Sequence, residues 1–335
     1  MNRTFAKSKT AIVRAPAKVN LTFDILSLRN DGFHDIETVF QAISLEDELN
    51  IEIQECDSNE IEIRVGEAIL RKLIPLDRTN LIARAFDAFL GRLAPARKYK
   101  AVVDLDKRIP IGAGLAGGST DAAAMLIVLN ELFGNKFSLE ELMELGAQLG
   151  SDVPFCLMGG TAVGRGRGEL LERIGRNLEL SFCIVKPLKL AVSTPWAFKK
   201  YDENLAESKT AKPPLSLAGV RAGLENADLE LTLSSLGNVF QPVIFDAHPE
   251  LKKLHADLLS QGVFACHMTG SGPTLFAISS GREMGHHIRR HMLKDDEIGY
   301  YYGTEEVIRE AHPPLDFRLA EAVSYGPRVL SISEN

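Results

Sequence analysis

The patterning of this chain predicts an α+β protein built as two domains. Three observations carry that expectation. In each half, stretches with the two-residue alternation of strands precede stretches with helical spacing, where a parallel βα series would interleave them. The length, 335 residues, is long for one core and comfortable for two. A fresh strand-like run, Phe182 to Leu190, follows a glycine-rich piece, which sets a boundary near residue 170 between a domain over 11–170 and a second over 171–335.

Taken in order, Ala11 to Asp24 reads as two strand pieces around an irregularity at Pro16, alternating at Val19, Leu21 and Phe23. Arg29-Asn30-Asp31-Gly32 is a hairpin turn signal, and Ile36 to Leu45 and Asn50 to Val65 read as strands. Asn80 to Leu90 carries the apolar stripe of a helix through Leu81, Ala85, Phe86 and Phe89. Ser138, with Glu141 three residues on, forms a capping box for a helix over Leu139 to Leu149. Pro249 to Gln261 is an amphipathic helix, and Ala265 to Ser279 encloses the turn Thr269-Gly270-Ser271-Gly272-Pro273 between apolar runs. Ser208 to Ser216 reads as a loop or linker.

Charge and composition exclude several classes. A net charge of −7 argues against nucleic acid as a partner but leaves a phosphorylated small molecule open, since that needs only local positive potential. Cys56, Cys156, Cys183 and Cys266 lack C-x-x-C spacing, so reduced thiols in the cytoplasm are expected rather than disulfides or zinc. No apolar run approaches a membrane span. The first ten residues lack the apolar core of a signal peptide and read as a short disordered tail.

The chemistry concentrates between Arg108 and Leu132. Gly112, Gly114, Gly117 and Gly118 alternate with small residues and run into helix formers, with Ser119 or Thr120 expected as N-cap and Asp121 in the first turn. Glycines free backbone N–H groups to turn inward, and a helix start adds unpaired donors and a positive dipole end. Such a loop is a cradle for phosphate. Two named motifs fit it poorly. Gly112-x-Gly114-x-x-Gly117 matches a dinucleotide fingerprint, yet Lys107, Arg108 and Pro110 separate it from the preceding strand; Gly118-Ser119-Thr120 lacks the lysine of a Walker A loop.

Three separated motifs then resemble one superfamily. Pro16-Ala17-Lys18-Val19-Asn20-Leu21, Pro110-x-Gly112-Ala113-Gly114-Leu115-Ala116-Gly117-Gly118-Ser119 and Thr269-Gly270-Ser271-Gly272 are similar, in that order, to the signatures of the GHMP kinases. Asp31-Gly32-Phe33-His34, the run from Gly114 to Ala123 and Gly150-Ser151-Asp152-Val153-Pro154-Phe155 resemble the branch acting on 4-diphosphocytidyl-2-C-methyl-D-erythritol, a cytidine-linked intermediate of the non-mevalonate isoprenoid pathway. The likeness runs from about Val13 to Ile278.

The resemblance implies a two-domain fold, its N-terminal half like ribosomal S5 domain 2 and its C-terminal half ferredoxin-like, with the active site in the cleft between them. It implies Asp152 as catalytic acid/base with Lys18 beside it, and Pro110, Gly112, Ala113, Gly114, Leu115, Ala116, Gly117, Gly118, Ser119 and Thr120 around the triphosphate of ATP. Asn20, Phe33, His34, Phe198, Thr269 and Gly270 match positions that hold the cytidyl substrate. ATP and Mg²⁺ are the implied cofactors, with no protein metal ligand assignable, and the enzyme is expected as a monomer or homodimer. The chemistry agrees: phosphoryl transfer needs positioning and charge stabilisation, an Asp can accept a hydroxyl proton, and an ammonium offsets developing negative charge.

Other readings stay open beside this one. Phe33-His34 and Phe198 disfavour a homoserine or mevalonate kinase, while an oxidoreductase or a binding module without catalysis would use the same loop differently. Asp121 is expected to support the helix dipole, and Arg165 and Arg167 to lie in a solvated loop or meet phosphate. His287 and His291 read as a solvated basic helix face, and Tyr300-Tyr301-Tyr302 as strand packing. Phe33 stands where a tyrosine is usual, keeping the ring and losing a hydroxyl. Residues 281–335 match nothing in the superfamily pattern and are expected to be an ordered, peripheral addition.

Overall fold

The computed structural model describes residues 8–175, 178–207, 215, 217–293 and 315–334. The chain opens with a long hairpin, β1 (Lys9–Leu28) and β2 (His34–Cys56), closed by a turn with Gly32 at φ +83°. Then come β3 (Glu60–Val65), α1 (Leu70–Leu73), α2 (Leu81–Leu93), β4 (Lys98–Asp106), α3 (Gly117–Leu132), α4 (Leu139–Leu149), α5 (Val153–Met158), β5 (Thr161–Gly166) and β6 (Leu170–Arg173). The second half runs β7 (Ser181–Pro187), α6 (Thr194–Glu207), α7 (Leu217–Asn226), α8 (Leu229–Ser234), β8 (Gly237–Asn238), α9 (Phe240–Ala247), α10 (Pro249–Ser260), β9 (Ala265–Met268), β10 (Leu275–Ser279), α11 (Arg282–Leu293), β11 (Leu315–Glu321) and β12 (Arg328–Glu334).

Two sheets organise these elements. The first has the order β12-β1-β2-β4-β3, with β5 and β6 continuing from the first part of β2 and β8 touching β1. Alternation makes these strands: Val13, Ala15, Ala17, Val19 and Leu21 of β1 are all fully buried. Pro16 cannot donate to a ladder, and the register of β1 on β2 shifts between Pro16 and Ala17. The second sheet has the order β11-β7-β10-β9, every pair antiparallel. Counted along the chain that order is fourth-first-third-second, with helices between strands, which is the ferredoxin-like arrangement.

Helix α3 is the axis of the first lobe. Residues Ala122 to Leu126, Val128 and Leu129 are buried on every side of it, as expected of a helix enclosed between a sheet and other helices. Ser138 and Glu141 cap α4 reciprocally, worth about 1 kcal/mol for the serine.

Four expectations need correction. Neither Ser119 nor Thr120 caps α3: the helix starts at Gly117, after Ala116 turns into it at φ +59°, and Thr120 Oγ1 instead donates to the Pro16 carbonyl at 2.8 Å. Residues 281–335 are no peripheral addition, because their described parts form α11, the β11 edge of the second sheet and the β12 edge of the first. Tail residues 322–326 cross between the sheets, with Ala322 N donating to Leu180 O and Val323 N to Ala42 O, both at 2.9 Å. The Gly159–Glu169 stretch is the strand β5 and its turn, with Arg165 ion-paired to Glu37 and Glu172 rather than in a solvated loop. Lys9 and Thr10, expected in a disordered tail, instead begin β1; residues 1–7, the expected linker at 208–216 apart from Leu215, and the three tyrosines at 300–302 lie outside the described residues.

Candidate active site

A cavity of about 980 Å³ lies between the lobes, with the glycine loop on one wall and α6 on another. Strand β1 sets one end of the chemistry. Lys18 and Asn20 are both buried, and Lys18 Nζ donates to Asn20 Oδ1 at 2.8 Å. Asn20 is itself fixed: its Nδ2 donates to Thr38 Oγ1 at 2.8 Å and its backbone N–H to Thr269 Oγ1 at 2.9 Å. The ammonium also stands 5.3 Å from the centre of the Phe40 ring.

Asp152 comes from the other side, at the N-terminal end of α5. A residue there often caps the helix with its side chain, but Asp152 makes no such bond. Its carboxylate is left to approach Lys18, Oδ2 to Nζ 3.6 Å, with the lysine side chain 6% exposed and the aspartate 35%. The glycine loop lies against this pair, since Lys18 N–H donates to the Leu115 carbonyl at 3.2 Å. Gly114, at φ +70°, packs on the second glycine turn, where a Cβ would stand 3.0 Å from the Thr269 carbonyl oxygen.

Of the residues expected in the site, Lys18, Asn20, Phe33, His34, Asp152, Phe198, Gly270 and all of the loop from Pro110 to Ser119 line the same cavity. Two do not. Thr120 is spent on Pro16, and Thr269 is fully buried behind Asn20. The aromatic end is arranged differently from a pair of rings facing each other. Phe198 on α6 lies parallel to His34, centroids 4.6 Å apart at 21°, and edge-on to Phe240 at 4.9 Å. Phe33 is half exposed with the Arg167 guanidinium 5.2 Å over it.

Several site residues were not singled out from sequence. Asp202 lines the cavity and meets His34 Nε2 at 2.9 Å; it sits one helical turn beyond Phe198, the spacing that shares a face. Lys107 lines it as well, buried with Asp47 and Asp121. Their signal was present in the alternation. Leu45, Asp47 and Leu49 share the inward phase of β2, and Ala101, Val103, Leu105 and Lys107 that of β4 and its end. A charge in an apolar phase is a buried charge, and buried charges are paired. Asp121 is thus no mere partner of the helix dipole but one of those charges. Among the described residues no group of three or more His, Cys, Asp or Glu could hold a metal, and no helix is long and apolar enough to cross a membrane.

This fold, with a lysine–aspartate pair against a glycine loop, defines a small-molecule kinase of the GHMP class. The model of the GHMP kinases N terminal domain matches residues 80–160 and that of the GHMP kinases C terminal residues 220–297. The chain is 40% identical over 288 residues to the 4-diphosphocytidyl-2-C-methyl-D-erythritol kinase of Pelotomaculum thermopropionicum, covering 86% of this chain and 95% of that protein. It is 39% identical over 267 residues to the enzyme of that name from Enterococcus faecalis, covering 80% and 89%. It belongs to the family of 4-diphosphocytidyl-2-C-methyl-D-erythritol kinases. Among solved structures, a 4-(cytidine 5'-diphospho)-2C-methyl-D-erythritol kinase superposes with TM-score 0.70 at 27% identity over 93% of this chain and 99% of that one. A homoserine kinase from Cytophaga hutchinsonii, TM-score 0.69 at 20% identity over 96% and 97%, shares the fold.

Proposed function

We infer that this protein transfers the γ-phosphoryl group of ATP to the 2-hydroxyl of 4-diphosphocytidyl-2-C-methyl-D-erythritol, a step of the non-mevalonate isoprenoid pathway. The observation that carries it is the Lys18–Asp152 pair, 3.6 Å apart, in one cavity with a glycine loop on one side and Phe33, His34 and Phe198 on another. In this reading the carboxylate of Asp152 takes the proton of the attacking hydroxyl, and the Lys18 ammonium offsets charge that grows on the reacting oxygens. Asn20 keeps the ammonium in place through its 2.8 Å bond. Backbone N–H groups from Ile111 to Ser119 hold the phosphates, as the inward-turned glycines and the start of α3 allow.

The apolar wall of Ile74, Pro75 and Leu81 beside the loop suits the adenine, and the aromatic end suits the cytosine. The donor set fits Mg²⁺ brought in with ATP, because this ion keeps waters and phosphate oxygens and takes few protein ligands; the Ser119 hydroxyl and Asp152 are the oxygens at hand. It would neutralise charge on the phosphates. In this reading the ATP-binding and substrate-binding halves divide near residue 170, although β8 and β12 pair with β1 in the first sheet. The four cysteines are free, which suits a cytoplasmic enzyme.

The test is ADP release from ATP and Mg²⁺ with the cytidyl methylerythritol, its uridyl counterpart, mevalonate and homoserine. Turnover confined to the cytidyl compound is expected. Preference for mevalonate or homoserine, or tight NAD binding without ATP turnover, would overturn the reading.

A further inference from the structure

Beneath the phosphate loop lies a cluster of charges that the transfer chemistry does not use. Lys107 Nζ meets Asp47 Oδ2 at 2.5 Å and Asp121 Oδ2 at 2.6 Å, with the three side chains 6%, 0% and 5% exposed. Asp47 spends its other oxygen on the loop, where Oδ1 accepts the backbone N–H of Arg108 at 2.6 Å and of Ile109 at 2.8 Å. Lys107 stands just before the loop and Asp121 just after it, in the first turns of α3. The ion pair therefore ties the entry of the loop to its exit, and Asp47 ties the entry to β2.

The cluster also explains one glycine. A Cβ on Gly117 would lie 2.9 Å from Lys107 Nζ and 3.1 Å from Ile109 Cγ2. The first residue of α3 thus rests on the buried ammonium, and close approach to that ammonium is what requires glycine there. Gly112 differs, with nothing within 4 Å of its Cβ position. Both Lys107 and Asp121 border the cavity beside the loop. Two carboxylates and one ammonium burial-locked under an anion cradle are a costly arrangement for stability alone, since a buried ion pair rarely outdoes apolar packing.

We propose that Asp47, Lys107 and Asp121 form a buried charge clasp that holds the glycine loop in its phosphate-binding shape, making them positioning residues for ATP. The proposal rests on the ATP-kinase reading above. Burial pushes the Asp121 carboxyl well above the usual carboxylate range, and its Oδ1 has no hydrogen-bond partner. Asp121 thus gives one oxygen to the ammonium and leaves the other without a partner, whereas Asp47 uses both of its oxygens, on Lys107 and on the two loop N–H groups.

The test is a double-mutant cycle on the full chain, with the Michaelis constants of ATP and of the cytidyl substrate measured separately. Lys107→Met and Gly117→Ala are each expected to raise the Michaelis constant for ATP by about tenfold or more, with that for the cytidyl substrate within about twofold. In the Lys107→Met background, Gly117→Ala should cost less than it does alone, because the nearer of the two atoms it crowds, the ammonium, is gone and only Ile109 Cγ2 at 3.1 Å remains. Equal change in both constants, no change in that for ATP, or full multiplication of the two effects would overturn the clasp. Gly117→Ala keeps all three charges, so it decides the matter if Lys107→Met does not fold. If the native chain fails to turn over the cytidyl substrate, the proposed function fails; if it turns over normally and Gly117→Ala is silent, only the clasp does.

Discussion

At the scale of single residues, Lys18 and Asp152 differ in how much of the fold depends on them. The Asp152 side chain bonds no backbone group of α5, so its carboxylate is not a structural cap. Lys18 is buried, but its ammonium has Asn20 and Asp152 as company, and a methionine fills much the same volume. We therefore expect Asp152→Asn and Lys18→Met each to cut turnover by at least about a hundredfold, the scale of losing a proton acceptor or a charge stabiliser. Melting temperature should shift by only a few degrees. Near-normal turnover in either variant would remove that residue from the chemistry. The pair was legible in sequence only through the order of three motifs, because a lysine after a proline and an aspartate before Val-Pro are each ordinary alone. Asp202 and the Asp47–Lys107–Asp121 cluster were less legible for a different reason: a side chain's partner across the fold leaves no mark in local sequence, and only the phase of the alternation hinted at burial.

At the scale of elements, helices with a cap or a clear apolar stripe were legible, whereas the alternating run from Ile36 to Val65 divides elsewhere than expected: β2 runs unbroken from His34 to Cys56 and the break falls before β3 (Glu60–Val65). The α4 boundaries follow from its capping box, and α2 from its apolar stripe and the Asn80 cap, whose side chain accepts from Ile82 N. Helix α5, six residues and nearly all buried, looks in sequence like any short apolar run. Helix α6 buries only Ala197, so its stripe is weak although it carries Phe198 and Asp202. Strand β9 offers a test in solution. His267 is held neutral there, pushed down to about 4 by burial and then by the nearby His255, and its Nδ1 has no partner. The unfolded chain, titrating near 6.5, binds more protons than the folded one between those values. Stability from this group is thus present above about 6.5 and is lost as pH falls toward about 4, by as much as about 3 kcal/mol. His267→Gln should flatten the fall of melting temperature over that window relative to the native chain. Parallel profiles would show that His267 charges without cost.

At the scale of the whole molecule, the end of the chain joins the two lobes. Strand β11 closes one edge of the second sheet and β12 one edge of the first, and 322–326 run between them. Gln41 Nε2 donates to the Val323 carbonyl at 3.1 Å, and Ile43 bridges to Ala322. Further on, Gly326 lies so close to the end of α5 that a Cβ there would stand 2.5 Å from the Leu157 carbonyl oxygen and 2.7 Å from that of Cys156. Gly159, just past α5, faces the backbone of Tyr325 and Gly326 in the same close manner. The tail is therefore braced against one end of the short helix whose other end presents Asp152. Truncation after Glu321 removes the brace and leaves the β1 edge from Lys9 to Arg14 unpaired. It should lower the melting temperature, as lost tertiary contacts do. It should also lower kcat more than either Michaelis constant, because α5 no longer holds the carboxylate at a fixed distance from Lys18. Gly326→Val presses on the same helix end while keeping β12, so it should reproduce the kcat loss with a smaller loss of stability. A truncated chain that melts early but turns over at the native rate would show that the tail stabilises the lobes without aiming Asp152.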